Sequence, residues 1–542
     1  MKILLAYRPS IWYNDSQKNI LPNGLYYIAS ILKDNGYDVY LKNYSEYSDA
    51  NIEKEIREIN PEMVGLTCYT FNAFTTYTLC DLIKKIKKSI TIILGGPHAT
   101  TMCDEILKRI SSIDIIVKSE GERTFLELAS IIKKGGDIGD VKGIAYRIED
   151  KIKHSIAREL NLDLDSLPIP AKYYKYQRII TSRGCPGSCI FCSTPSFWGR
   201  NVRFRSPENV VNEIELLQKN YGVSFFIFSD DTFTFNKKRT IDICKLILDK
   251  GLNITWDCRS RVNFICEEQL KWMKKAGCLS VSYGVESGSQ KILNNLKKYI
   301  TLNQILRASE ITKKAGLQLG FFLIVGSPRE NEESVNETIE LLKKTKPHNL
   351  IVSIMSLTPD TEICKKQNIP IDNWFNNMIE PVYYTSGLGF KKLEGYVKKI
   401  YAEFSKNRGK YGMNELVEII KNDYSSSFRA FNHLGIIYLS KNMLKDALIC
   451  FLKAIKLNPG YAQAYNNLGV VLIRSGNKNK ALESFKKAVE KNPEDVSALN
   501  NLGKLYFEMN EPEKAKKCFK DLLKINPEYI KAKENLRMIN KN

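Results

Sequence analysis

The sequence predicts an α/β protein followed by an all-α array. A doubly wound parallel sheet comes first, a strand–helix barrel second and a solenoid of helical repeats last. Three observations carry this. Over residues 1–145 short apolar runs without alternation, such as ILLAY and TIILG, are separated by amphipathic stretches, the pattern of parallel strands covered on both faces. The same rhythm resumes between residues 177 and 370 with six apolar runs. From Ser427 onward a 34-residue period is plain, and such periods mark stacked helical units.

The first domain, residues 1–145, runs KILLAY, LYYIASILKDNG, MVGLTCY, LCDLIKKIKKS, ITIILGG. That order is strand, helix, strand, helix, strand, a Rossmann-like, flavodoxin-like unit whose ligand site lies at the carboxyl ends of its strands. Residues 146–176 read as a linker. From 177 to 370 the runs IIT, FFIF, ITWD, LSVSYGV, LGFFLIVG and NLIVSIM alternate with helical segments such as Pro207–Tyr221 and Ser289–Ala315. Six strand–helix units fit a partial TIM-type (β/α)6 barrel, with its working face at the strands' carboxyl ends. Residues 371–426 carry helical signals and connect the barrel to the repeats.

In the last segment, 427–542, Leu434-Gly435 recurs as Leu468-Gly469 and Leu502-Gly503, Ala447 as Ala481 and Ala515, Phe451 as Phe485 and Phe519, and Asn458-Pro459 as Asn492-Pro493 and Asn526-Pro527. The period resembles the tetratricopeptide repeat: three repeats over Ser427–Glu528, then a capping helix in Tyr529–Asn542 that covers the last apolar face. This segment holds 21 Lys/Arg against 11 Asp/Glu, an excess of ten positive charges. A concave groove with positive potential suits an acidic peptide or protein; a solvated lysine-rich exterior accounts for the same charge. The repeats show no aromatic stacking platform and no Arg-laced recognition helix, which argues against nucleic acid.

A chain of 542 residues has room for about three to four domains. Its net charge of +21 permits nucleic-acid or membrane-surface binding, and a lysine-rich composition explains it equally. The apolar stretch from Gly316 to Pro328 is too short and too interrupted to span a bilayer. MKILLAYRPS has too few apolar residues for a signal-peptide core, so a cytoplasmic protein is expected. There, 13 cysteines are expected as thiols rather than disulfides, because a reducing pool keeps them free, and clustered ones point to metal.

Cys185, Cys189 and Cys192 form such a cluster in TSRGCPGSCIFCS, directly after the first barrel strand. Zinc wants a fourth ligand at compatible spacing, and none is near in sequence. Three thiolates on a four-iron cluster leave one iron open, as a reaction centre needs. The segment resembles the radical S-adenosylmethionine (SAM) enzymes, whose signature is this triple-cysteine loop. That resemblance implies a 4Fe-4S cluster and SAM chelating the open iron, with Phe191 against the adenine. It also implies SAM contacts for Asp230 and Asp231 in SDDTFTFN, for Glu286 and Ser287 in YGVESGSQ, for Lys298, and for Gly326 in IVGSPRE. Other readings stay open: Asp230 or Asp231 as a helix cap, Gly326 and Pro328 as a plain loop, and Arg259 and Arg261 as surface ion pairs or as partners of the SAM carboxylate or substrate. Glu286, at the end of an apolar strand, points to the barrel mouth.

The N-terminal domain is similar to the cobalamin-binding module of one branch of that family. Thr67 stands at the Ser-x-Leu position and Gly95-Gly96 follows twenty-five intervening residues later; Glu120, Gly121 and Glu122 in KSEGERT resemble the branch's GEGE turn. Small residues there let a corrinoid tail lie against backbone. The Asp-x-His-x-x-Gly loop that ligates cobalt is absent, and His98, in another loop, reads as a structural hydrogen-bonding group. The resemblance implies a radical SAM enzyme that reductively cleaves SAM, fed by a low-potential donor such as flavodoxin or ferredoxin, and a cobalamin-dependent methyltransferase acting on an unactivated carbon. The alternatives are a radical SAM cyclase, oxidoreductase or rearrangement enzyme with an empty Rossmann-like domain, and a repeat-based peptide-binding adaptor.

Overall fold

The computed structural model describes residues 1–10, 20–45, 47–149, 151–367, 369–375, 384, 387–407, 428–440, 442–525, 527 and 529–541. These fall into two compact units, divided at Gly409 and Lys410, each described by itself.

The first sheet contains β1 (Lys2–Tyr7), β2 (Asp38–Asn43), β3 (Met63–Thr67), β4 (Thr91–Gly95), β5 (Ile115–Val117), β6 (Ile144–Ile148) and β7 (Lys151–His154). Their order is β2-β1-β3-β4-β5-β6-β7. The first five are parallel, and β6 and β7 add antiparallel at the edge. The sheet therefore runs on through His154, past residue 145, because these two short strands hydrogen-bond to it. Alternation on the buried strands is between two apolar faces. Leu4, Ala6, Val64, Leu66, Ile92 and Leu94 pack into one core, while Ile3, Leu5, Met63, Ile93 and Val117 pack into the other. The strand order reverses between β1 and β3, the switch point at which open sheets of this kind part their loops and take ligands.

The second sheet is β8 (Arg178–Ile179), β11 (Phe225–Phe228), β12 (Thr255–Ser260), β13 (Cys278–Glu286), β14 (Gln318–Val325) and β15 (Asn349–Ile354). All are parallel and lie side by side in chain order, so the chain winds as six successive strand–helix units. Phe226, Phe228, Trp256, Val281, Tyr283, Leu319, Phe321 and Leu323 are buried among the flanking helices. A short hairpin, β9 (Ser182–Arg183) with β10 (Arg203–Phe204), is antiparallel, and with only two residues per strand it carries no periodic pattern in the sequence. It closes the base of the cysteine loop. Within the span read as a connector, helix Phe390–Asn407 buries Leu393, Tyr396 and Ile400 in the barrel core; residues 376–383 and 408–426 lie outside the described residues. One face of the N-terminal sheet shares its core with Ile190, Leu296 and Met355 of the barrel segment and with Trp374 just after it, so the two domains bury apolar surface jointly.

The second unit holds seven helices among the described residues: Phe428–Ser440, Leu444–Leu457, Ala462–Arg474, Lys478–Lys491, Val496–Glu508, Pro512–Ile525 and Ile530–Lys541. The 34-residue period has a contact behind it. A Cβ on Gly435, Gly469 or Gly503 would come within 2.5, 2.5 or 2.8 Å of the ring of Phe451, Phe485 or Phe519, so each glycine lets the paired helices approach ring to backbone. Asn467 Nδ2 donates to Asn432 Oδ1, and Asn501 Nδ2 to Asn466 Oδ1, both at 3.0 Å, tying each repeat to the next. Ser427, Asn526, Glu528 and Asn542 fall outside the described residues. No helix among the described residues is long and apolar enough to cross a membrane.

Candidate functional site

A cavity of about 580 Å³ opens where the carboxyl ends of β1, β3 and β4 face the barrel, lined by Thr67, Gly95, Gly96, Glu120, Gly121, Glu122 and, from the barrel side, Asp231. Seven residues singled out in the sequence thus meet at one place. Around them stand Arg259, weighed from the sequence as a partner of SAM or substrate, and Tyr69 of the Thr67-Cys68-Tyr69 motif, with Tyr7, Phe71, Phe197, Trp198, Arg178 and Arg183, which the motifs did not flag.

The glycines differ in what they do. At Gly95 a Cβ would meet nothing nearer than the Val117 carbonyl at 3.8 Å, so the wall there is bare backbone beside open space. Gly96 has φ +99, and a Cβ would lie 2.7 Å from the Cys68 carbonyl and 2.8 Å from Thr67 Oγ1. It lets two strand ends cross, with the Cys68 N–H donating to Gly95 O and the His98 N–H to Cys68 O. His98 is buried beneath this crossing, its ring nitrogens 3.1 Å from Thr70 Oγ1 and Tyr77 Oη, and burial lowers its pKa to about 3. The imidazole is neutral and structural, as read from the sequence.

Glu120 and Glu122 are buried, and their carboxylates are taken up by arginines of the β9–β10 hairpin. Arg183 meets Glu120 at 2.7 Å and Glu122 at 2.5 Å, and Arg203 meets Glu120 at 2.8 Å. The Asn161 N–H adds a bond of 2.7 Å to Glu120. The Arg183 guanidinium also lies over the Trp198 ring, 4.8 Å from its centroid. Burial works against the Glu120 charge, yet Arg183 and these hydrogen bonds outweigh it and hold its carboxyl below the usual range. The turn read as a corrinoid contact therefore also locks the N-terminal domain to the segment two residues before Cys185. The signal was in the sequence, as an arginine directly ahead of the cysteine loop, but its partner lies about sixty residues away.

In the barrel the two adjacent aspartates part. Asp230 is fully buried and accepts hydrogen bonds from the Thr181 N–H, Thr181 Oγ1 and Ser182 Oγ, holding the junction of β8 and β9 to the end of β11. Asp231 faces the cavity, and burial together with the Asp230 charge raises its pKa to about 6. Glu286, at φ +68, pairs with Lys298 at 2.6 Å, both side chains buried. Ser287 Oγ, 1 % exposed, lies 3.3 Å from Thr338 Oγ1 and accepts from the Ser289 N–H, so it fastens the loop to helix Glu332–Thr345. Gly326 has φ +91, with the Tyr384 carbonyl 2.9 Å from where its Cβ would be. Its N–H and that of Ser327 donate to Glu330 Oε2, which makes the glutamate the cap of its own turn. Phe191 is half-buried against the core shared by the two domains.

Cys185, Cys189 and Cys192 are free thiols, each half-buried, with burial pushing the Cys192 thiol up. The loop is pinned by Ile190, whose N–H donates to Leu296 O and whose carbonyl accepts from the Ile363 N–H. The three sulfurs are not gathered within 4.8 Å of one another, a condition that only Cys103, Asp104 and His154 meet among the described residues. Three thiolate donors on one loop fit a four-iron cluster that keeps one iron open, and the bare backbone at Gly95 fits a bulky ligand lying on β4. Cys103, Asp104 and His154 form a surface group in which His154 pairs with Asp104 at 2.8 Å.

Residues 179–342 match the family model of the radical SAM superfamily and residues 14–129 that of the B12 binding domain. Tetratricopeptide repeat models match residues 435–476, 462–495 and 479–536. An uncharacterized methyltransferase of Pyrococcus horikoshii is 33% identical over 428 residues, covering 74% of this chain and 92% of that protein. The anaerobic magnesium-protoporphyrin IX monomethyl ester cyclase of Rubrivivax gelatinosus is 28% identical over 451 residues, covering 76% and 81%. Among solved structures, the cobalamin-dependent S-adenosylmethionine radical enzyme OxsB with aqua-cobalamin bound has the same fold, with a TM-score of 0.61 and 17% identity over 96% of this chain and 84% of that one.

Proposed function

This chain belongs to the radical SAM superfamily and carries a B12-binding domain, and we propose that it is a cobalamin-dependent methyltransferase acting on an unactivated carbon. The observation that supports this reading is the single cavity in which the strand ends of the N-terminal sheet face Asp231 and Arg259 at the barrel mouth. A ligand held on the first domain there confronts whatever the barrel holds.

In this reading Cys185, Cys189 and Cys192 hold a 4Fe-4S cluster. Phe191, Asp231 and the Glu286–Lys298 pair border SAM, with Asp230, Ser287 and Gly326 shaping the loops around it. Thr67, Gly95, Gly96 and Gly121 cradle the corrinoid, while Glu120 and Glu122 fix the wall beside it. When bound, the cluster supplies the electron that cleaves SAM and the corrinoid supplies a carrier for its methyl group. The chain's own work is to enclose and aim. The aromatic walls at Tyr69, Phe71, Phe197 and Trp198 exclude water, and the Arg183 lock keeps the two domains in register.

The test is anaerobic reconstitution of the full chain with iron, sulfide, cobalamin, reductant and SAM carrying a deuterated methyl group. Retention of about one corrinoid per chain and label on a product carbon support the reading. SAM cleavage to 5'-deoxyadenosine without retained corrinoid would overturn it in favour of the second reading, a radical cyclase or oxidoreductase, which the similarity to the Rubrivivax protein favours. Triple replacement of the cysteines by Ala must abolish the cluster.

The repeats are a protein-interaction module. We assign them an acidic peptide or protein, on the excess of ten positive charges in this segment. Binding that weakens with salt and is lost when groove lysines become Glu supports this, whereas salt-independent binding would overturn it. Flavodoxin or ferredoxin is the proposed electron donor, and the cytoplasm, where such donors act, the proposed location.

A further inference from the structure

Arg261 is 7 % exposed, and a buried guanidinium requires a counter-charge. Its partners are Asn263 Oδ1 at 3.4 Å, the Lys298 carbonyl and Cys189 Sγ at 3.5 Å; among the described residues no carboxylate is one of them. The cysteine loop is shaped around it. A Cβ on Gly187, midway between Cys185 and Cys189, would stand 2.9 Å from Arg261 Nη1 and 3.4 Å from Cys185 Sγ. The glycine thus leaves room for the guanidinium to enter beneath the thiols. The surface ion pair entertained from the sequence is ruled out by this burial.

We propose that Arg261 is a positioning residue for the cluster, with the cluster-bearing thiolates as its counter-charge and its N–H donated to the Cys189 sulfur. Donors and positive charge at a ligating sulfur stabilise the reduced cluster and raise its potential. Arg261 also links that sulfur, through the Lys298 carbonyl, to the Glu286–Lys298 pair at the barrel mouth. The proposal rests on the reading of the three cysteines as cluster ligands.

The experiment is a redox titration of the reconstituted full-length chain, followed by the spin-resonance signal of the reduced cluster and performed without SAM, so that any contact with SAM is silent. Arg261→Met is expected to keep its iron and sulfide while the reduced-to-oxidised ratio at a fixed potential falls about tenfold, equivalent to ~59 mV for one electron. Arg261→Lys, which keeps the charge and loses the planar fork, falls between, and Gly187→Ala, which displaces Nη1, shifts the same way. Potentials equal to the parent protein's in every variant that holds a cluster overturn the proposal. Should Arg261→Met fail to assemble one, Arg261→Lys and Gly187→Ala decide alone. A parent chain that binds no iron overturns the cluster reading itself, and the proposal with it.

Discussion

Glu286 turns back over its own strand at φ +68 to meet Lys298 at 2.6 Å, and Gly284 makes the room. A Cβ on Gly284 would stand 2.7 Å from Glu286 Oε1 and 2.9 Å from Lys298 Nζ. The pairing of β13 with β14 also shifts register between Gly284 and Glu286, so strand, glycine and carboxylate form one device. Removing one partner from a buried pair leaves the other uncompensated, at about 3–5 kcal/mol. Lys298→Met should therefore destabilise the first unit by that order, and the double variant Glu286→Gln with Lys298→Met by clearly less. Chemical denaturation of the two single variants and the double yields the coupling; additive effects would refute it.

The two cavity glycines should separate binding from folding. Gly95→Val projects a side chain into open space, so the chain should keep its unfolding midpoint and lose corrinoid on gel filtration. Gly96→Val meets the Cys68 carbonyl and requires φ near +99, a cost of order 1–3 kcal/mol, and should unfold earlier whether or not cobalamin is present. Equal behaviour of the two would show that β4 is not a ligand wall.

Glu330, buried in the turn it caps, has its pKa raised by burial from 4.5 to about 7 despite the N–H groups of Gly326 and Ser327. Between those values the unfolded chain has released its proton while the folded chain keeps it. Stability therefore falls as pH rises through that window, by up to about 1.4 kcal/mol per unit, and stays lower above it. Asp231, raised to about 6, adds in the same direction. Denaturation at several pH values, compared with Glu330→Gln, should show the slope diminished in the variant.

In the repeats, Gly469→Ala places a methyl about 2.5 Å from the Phe485 ring. Helix propensity alone favours alanine by about 1 kcal/mol; overpacking costs about 1–3 kcal/mol. The clash is with a buried ring, so overpacking wins, and thermal unfolding of the variant should come earlier. Gly469→Ala combined with Phe485→Leu should recover part of the loss.

Local pattern determined much of this protein by itself. Uninterrupted apolar runs announce two parallel sheets because strands covered on both faces have no polar side. A glycine and a phenylalanine recurring every 34 residues announce the repeats because each pair is one contact made again. Three cysteines on one loop announce their chemistry because ligands within eight residues need no tertiary structure to meet. Only the fold decided which residues of each motif face the cavity. Asp230 and Asp231 are neighbours in sequence, yet one ties strands together while the other lines the site. Glu120 and Glu122 read as ligand contacts; they line the cavity, and their carboxylates also hold Arg183, about sixty residues on. Buried charges must find partners wherever the chain brings them, and sequence spacing carries no record of who arrives.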